Sequence, residues 1–137
     1  MAKLQKLIKF VCTMKLLFTI LVGIAGLCFS SADVGEEIIA AIRQGKSSEL
    51  VKFFDEKVSI KLINQEDVLS KSQAEANIRY FFEKHPVKSF TSTHVSAVNN
   101  SSQYITGTLE TANGKYRVSI LLRRNLVSQF RIENDNE

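Results

Sequence analysis

Two hydrophobic periods divide the chain at Pro86. Between Asp33 and Pro86 apolar residues recur mostly at helical spacing; beyond it they fall on every second position. Val34, Ile38, Ile39 and Ile42 share one helical face, and Asp33 with Glu36 three residues on predicts a capping box at its start. Gly45 reads as the stop. Ser47 or Ser48 then caps a second, short helix carrying Leu50, Phe53 and Phe54. From Lys57 the period becomes two: Val58, Ile60 and Leu62 alternate with Ser59, Lys61 and Ile63, a strand with one wet face. Asn64 to Leu69 reads as a polar loop. Ser70 with Gln73 is another capping box, opening the clearest helix, whose stripe of Ala74, Ile78, Phe81 and Phe82 lies opposite Glu75, Arg79 and Glu83. Pro86 ends it, because the residue before a proline is pushed out of helical geometry.

Everything after Pro86 reads as strand. Val87 to Val98 is rich in Thr, Ser, Val and Phe, Asn99 to Ser102 is a turn, and Tyr104 to Thr111 is the next strand. Asn113-Gly114 predicts a tight hairpin, since both residues tolerate positive φ. Tyr116, Val118, Ile120 and Leu122 then alternate with Arg117, Ser119, Leu121 and Arg123. Asn125 marks a second turn, before a last strand with Leu126, Phe130 and Ile132 on one face. The order is α-α-β-α-β-β-β-β. Helices in front and strands behind predict an α+β domain in which a curved antiparallel sheet wraps the long helix. Gly107 is the expected place for a bulge that bends the sheet.

The 32 residues before Asp33 follow a different rule. A basic start runs to Lys15, an apolar run from Leu16 to Phe29, and Ser30-Ser31-Ala32 supplies small residues. This is the order of a secretory leader, cut before Asp33; Met14 is an equally good start. Retention as a membrane anchor is the alternative, although 14 apolar residues fall short of the roughly 20 that span a bilayer. Lipid attachment at Cys28 is a weaker option, because bulky Leu27 precedes it. The leader changes how charge is read. The chain has 18 Lys plus Arg against 14 Asp plus Glu, but Lys3, Lys6, Lys9 and Lys15 lie in the leader, which holds no acid. That leaves 14 bases against 14 acids from Asp33 onward, a neutral domain. Nucleic-acid binding needs clustered excess positive charge, so it is not expected. Both cysteines, Cys12 and Cys28, are also in the leader, so the domain has no disulfide, thiol nucleophile or Cys-ligated zinc to draw on.

The element order, the aromatic helix end ANIRYFFEKHP and the closing hairpin KYRVSILLRRNLVSQFRIEN resemble the NTF2-like superfamily over residues 33–132. Its members are cones with a cystatin-like fold, a curved sheet closed by helices. More narrowly, a leader joined to one such domain resembles a bacterial family of small exported proteins, the domain of unknown function 4783 type. The resemblance implies an α+β NTF2-like cone and a periplasmic or secreted location. It implies no particular chemistry, since such cones host isomerases, dehydratases, epoxide hydrolases and many binders.

An enzyme of this shape needs acids, bases or donors inside the cone. The candidates are Asp55, Tyr80, His94 and Tyr104, with Phe90, His94 and Tyr116 as cone-lining residues. Steroid-isomerase-like cones pair a carboxylate base with tyrosine and acid donors. Asp55 follows Phe53-Phe54 at a helix end, where a solvated terminus is the ordinary outcome. Tyr80 borders the apolar stripe, as a half-buried ring with a wet hydroxyl would. Strict alternation places His94 on one face with Phe90, Ser92, Ser96 and Val98; a bulge would instead turn it to solvent. His85, at a helix end, reads as a surface residue. No metal site is expected, because two histidines nine apart without cysteines match no zinc spacing and Glu66-Asp67 lacks further oxygen ligands. No cofactor motif appears. Lys61, Arg117, Arg123 and Arg131 share the outward sheet face, solvated or open to an acidic partner, lipid headgroups or a second copy.

Three functions remain. The first is a non-catalytic periplasmic module binding a small ligand or an envelope protein. The second is a cone-cavity enzyme of isomerase or hydratase type, and the third an envelope accessory protein held by an uncleaved leader.

Overall fold

The computed structural model describes the backbone of residues 2–24 and 33–136, and the side chains of 2–15 and 33–136. The cleavage residues Ser30–Ala32 and Cys28 lie outside the described residues. The chain divides into two compact units, Met1–Ser31 and Ala32–Glu137. In the first, Ala2–Ile24 is one helix, α1. Among the described residues no helix is long and apolar enough to cross a membrane.

In the second unit, α2 (Val34–Arg43) buries Ile38, Ile39, Ala41 and Ile42. Asp33 stands at its N-cap but makes no side-chain capping bond, so the capping box expected there does not form. Gly45 does stop the helix: at φ 63° it turns the chain so that Lys46 N–H reaches back to the Ala41 carbonyl, 3.1 Å. The short α3 (Ser47–Leu50) is preceded by Lys46 at the N-cap, so neither Ser47 nor Ser48 caps it. It runs through a 3-10 turn (Val51–Phe53) into β1 (Phe54–Leu62).

The expected loop at Asn64–Leu69 is instead a strand, β2 (Gln65–Ser70), paired antiparallel with β1 from Lys57↔Ser70 to Leu62↔Gln65. Its side chains are almost all exposed, so no burial pattern marked it. A tight turn with Ile63 at φ 56° joins the two strands. The helix α4 (Lys71–Lys84) follows, with the Ser70–Gln73 capping box formed in both directions; a cap of this kind is worth about 1 kcal/mol. Ala74, Ile78, Phe81 and Phe82 are buried, as the stripe predicts.

A meander completes the sheet: β3 (Val87–Asn99), β4 (Ser102–Thr111), β5 (Gly114–Arg123) and β6 (Leu126–Asn134). The strand order is β2-β1-β6-β5-β4-β3. The sheet is therefore mixed, because β1 lies parallel to β6 while every other pair is antiparallel. Period-two patterning predicts a strand but not its neighbour's direction, which is why an all-antiparallel sheet was expected.

One turn detail also differs from expectation. At the β4–β5 hairpin only Gly114 has positive φ, 146°; Asn113 is held by other means, its amide donating to the Lys84 carbonyl at 2.9 Å. Ala112 N–H donates to the Pro86 carbonyl at 3.0 Å, so this turn clasps the end of α4. The turn at Arg124-Asn125 does place both residues at positive φ, 52° and 64°.

The concave face of the sheet and helices α2, α3 and α4 enclose one core. Phe130, Ile132, Val118, Ile120, Ile105, Leu109, Val58, Ile38, Ile42 and Ile78 are fully buried in it. No buried side-chain nitrogen or oxygen lacks a partner among the described residues.

Candidate functional site

The polar residues singled out by the sequence do not converge. Asp55 belongs to β1, not to a helix end, and its carboxylate accepts from the Glu56 N–H at 2.8 Å. Tyr80 is exposed, not half-buried, with the Lys84 ammonium 4.6 Å from its ring centroid.

His94 does not follow Phe90 onto the core face. Ser92 pairs with Gly107 and His94 with Thr106, so Thr93 is an extra residue on β3. That bulge reverses the alternation: Phe90 is buried, whereas His94 is exposed. Gly107 stands opposite the bulge rather than in it. A Cβ there would lie 2.5 Å from the Phe90 ring and 2.6 Å from the Thr91 carbonyl, so its role is to let the ring sit against bare backbone. Tyr104 pairs with Ser96 and Leu121, next to inward Ile105, and is half-buried on the outer face.

Of the three expected cone-lining side chains, Phe90 and Tyr116 are in the core. Tyr116 is 7% exposed, and its hydroxyl lies 3.2 Å from Nδ1 of His85. His85 is thus not a plain surface residue. It is half-buried at the C-cap of α4, its ring 4.5 Å from Phe81 and 5.4 Å from Tyr116. Phe81 meets Tyr116 edge-on at 5.5 Å, making a three-ring cluster. Sequence reasoning took its place before Pro86 at a helix end to mean a surface residue; that same place is where the chain turns back toward the sheet.

This cluster borders a cleft on the surface of the domain. The cleft, of ≈ 280 Å³, runs between α4 and the β1–β2 turn, lined by Leu62, Ile63, Phe81, Lys84 and His85 with Asn64, Gln65, Asn77 and Tyr80 at its rim. A neighbouring compartment of ≈ 470 Å³ shares Leu62, Asn64, Gln65 and Asn77 and adds Glu66 and Asp67. Among the described residues no group of three or more His, Cys, Asp or Glu could hold a metal ion.

The outer sheet face is charged but largely self-paired at its centre. Lys61 Nζ lies 2.6 Å from Glu133 Oε1, and Arg131 reaches both Glu133, 3.2 Å, and Glu66, 3.5 Å. Arg117 and Arg123 are exposed. The hydrogen bond from Lys61, with Arg131 assisting and partial burial opposing, holds the Glu133 carboxyl below the usual carboxylate range. A depressed acid stabilises the fold above its unfolded pKa, about 4.3, and loses that contribution as pH falls through the folded value. Glu133→Gln should therefore lower stability at pH 7 by at most about 1 kcal/mol, since the pair is partly solvated. The two proteins should converge as pH falls through the lowered folded value, as urea titrations over an acid series will show. A gap that persists at low pH would mean that Glu133 acts by packing instead.

No curated protein matches the chain closely. Among solved structures, a DUF4783 family protein from Bacteroides uniformis is 34% identical and superposes with a TM-score of 0.72, over 77% of this chain and all of its own. Two remoter likenesses show the fold alone. One is an NTF2 variant, Rd1NTF2_05, 13% identical with a TM-score of 0.57 over 71% of this chain and 90% of its own. The other is a domain of unknown function with a cystatin-like fold from Nostoc punctiforme, 11% identical at 0.58 over 74% and 73%. The fold is thus α+β and NTF2-like, as the resemblance implied. Residues 35–134 match the family described as Domain of unknown function (DUF4783), and with a relative this similar over its whole length, the chain belongs to that family.

Proposed function

We propose that residues 33–137 form a non-catalytic binding module of the bacterial periplasm, delivered there by the leader 1–32. The observation that carries this reading is where polar side chains sit. Asp55 stands on β1 and Tyr80 on α4, His94 and Tyr104 share only the exposed outer face of β3 and β4, and the Tyr116 hydroxyl is engaged by His85. A reaction centre needs acid, base and donor gathered about one point. The cleft between α4 and the β1–β2 turn instead has an apolar floor with an amide rim, the make-up of a site that holds a molecule and orients it. Export is supported by the three-part leader and by the separation of the chain into units between Ser31 and Ala32.

Two measurements on protein isolated from the cells that make it test the reading. Its intact mass should correspond to a chain beginning at Asp33; a full-length mass would overturn delivery by cleavage. A fragment library followed by amide chemical shifts should perturb Asn64, Asn77 and His85 together. Perturbations centred on His94 and Tyr104 instead would overturn the assignment of the binding surface.

A further inference from the structure

We infer that the cleft beside His85 takes a single-chain apolar carboxylate, with its acid group held by His85 and Lys84; this deepens the binding-module reading and rests on it. The first argument is the hydrogen bond inside the three-ring cluster. The Tyr116 phenol is buried, and its hydrogen bond among the described residues is to His85 Nδ1. If Nδ1 carried the proton, the phenol hydrogen would be left without an acceptor, which is costly for a buried group. The satisfied arrangement has the phenol donating to Nδ1, which puts the imidazole proton on Nε2. The ring packs against both Phe81 and Tyr116, 4.5 and 5.4 Å away, which restricts its orientation before any ligand arrives. In that tautomer His85 carries an N–H donor on a residue that lines the cleft.

The second argument is charge. The domain as a whole is neutral, yet none of the nine residues lining this compartment is acidic, and Lys84 adds an ammonium group. Glu66 and Asp67 line the adjoining compartment instead. An anion is therefore favoured at the His85 end and disfavoured at the other. Leu62, Ile63 and Phe81 supply the floor for an apolar body. A volume of ≈ 280 Å³ is at the small end for ligand sites, which suits one chain of about ten carbons rather than a two-chain lipid.

Decanoate and decylamine, kept below their micellar concentrations, and decanol, kept below its solubility limit, provide the test by amide chemical-shift titration of the isolated protein. Decanoate should shift Asn64, Asn77, Lys84 and His85 and bind more tightly than the other two. His85→Phe, which keeps a ring against Phe81, should weaken decanoate about tenfold and leave decanol unchanged, the size expected for one charge-assisted hydrogen bond. Lys84→Ala, at an exposed position, provides a variant that does not disturb the core and should also weaken decanoate selectively. Decanol or decylamine binding the cleft as tightly as decanoate would overturn the carboxylate assignment and leave the binding module standing. Failure of all three to perturb the cleft would overturn the site, and the reading beneath it.

Discussion

Phe130→Ala should cost the domain about 4 kcal/mol, a large share of its margin of stability. Phe130 is fully buried at the centre of the sheet, on β6 between Ile60 of β1 and Ile120 of β5, with the Phe54 ring 5.8 Å away. Truncating such a ring loses its transfer free energy and leaves a cavity; Phe→Ala changes in cores cost roughly 3–5 kcal/mol. A domain of this size has on the order of 5–15 kcal/mol in total. Its neighbours cannot easily close the gap, because Ile60 and Ile120 are fixed by backbone pairing on both flanks. In thermal melts the midpoint should fall by roughly 20 °C. A loss below about 1.5 kcal/mol would mean that β1 does not close against β6, since the parallel pair is what makes this position interior.

Gly107→Ala is expected to be nearly as damaging for the opposite reason. The added methyl would lie 2.5 and 2.7 Å from carbons of the Phe90 ring and 2.6 Å from the Thr91 carbonyl oxygen. A ring can turn away, but the carbonyl belongs to β3 and moves only if the β3–β4 pairing moves with it. Overpacking commonly costs about 1–3 kcal/mol, and a backbone clash places this change at the upper end. Phe90→Leu in the same chain should rescue the substitution only in part, since it removes the ring and leaves the carbonyl. Urea denaturation of the two single variants and the double variant measures this coupling. Full rescue would show that the ring alone enforces glycine, and no loss at all would show that the strands are further apart at this point.

Both predictions rest on pairings that differ in how legible they were. The stripe Ala74–Phe82, the Ser70–Gln73 cap, the stop at Gly45 and the meander from Val87 to Asn134 were written in spacing and in residue types with fixed backbone preferences. Strand β2 was not, because an edge strand whose side chains are almost all exposed has no burial to alternate. The site was harder. Strict alternation put His94 inside and a bulge put it outside; one extra residue, Thr93, decided for the bulge. His85 entered the site because the β4–β5 turn, some 28 residues away in sequence, anchors the end of α4 through Asn113.

The sequence by itself determined the helices, most of the strands, the α+β class and the neutral charge of the domain. These follow from local periodicity and from side chains that act on their own backbone. Tertiary structure alone decided the parallel contact of β1 with β6, the bulge opposite Gly107 and the meeting of His85 with Tyr116. Each depends on which distant segments are neighbours, and that is settled by the joint packing of the core, where no single stretch of sequence carries enough of the free energy to specify its partner.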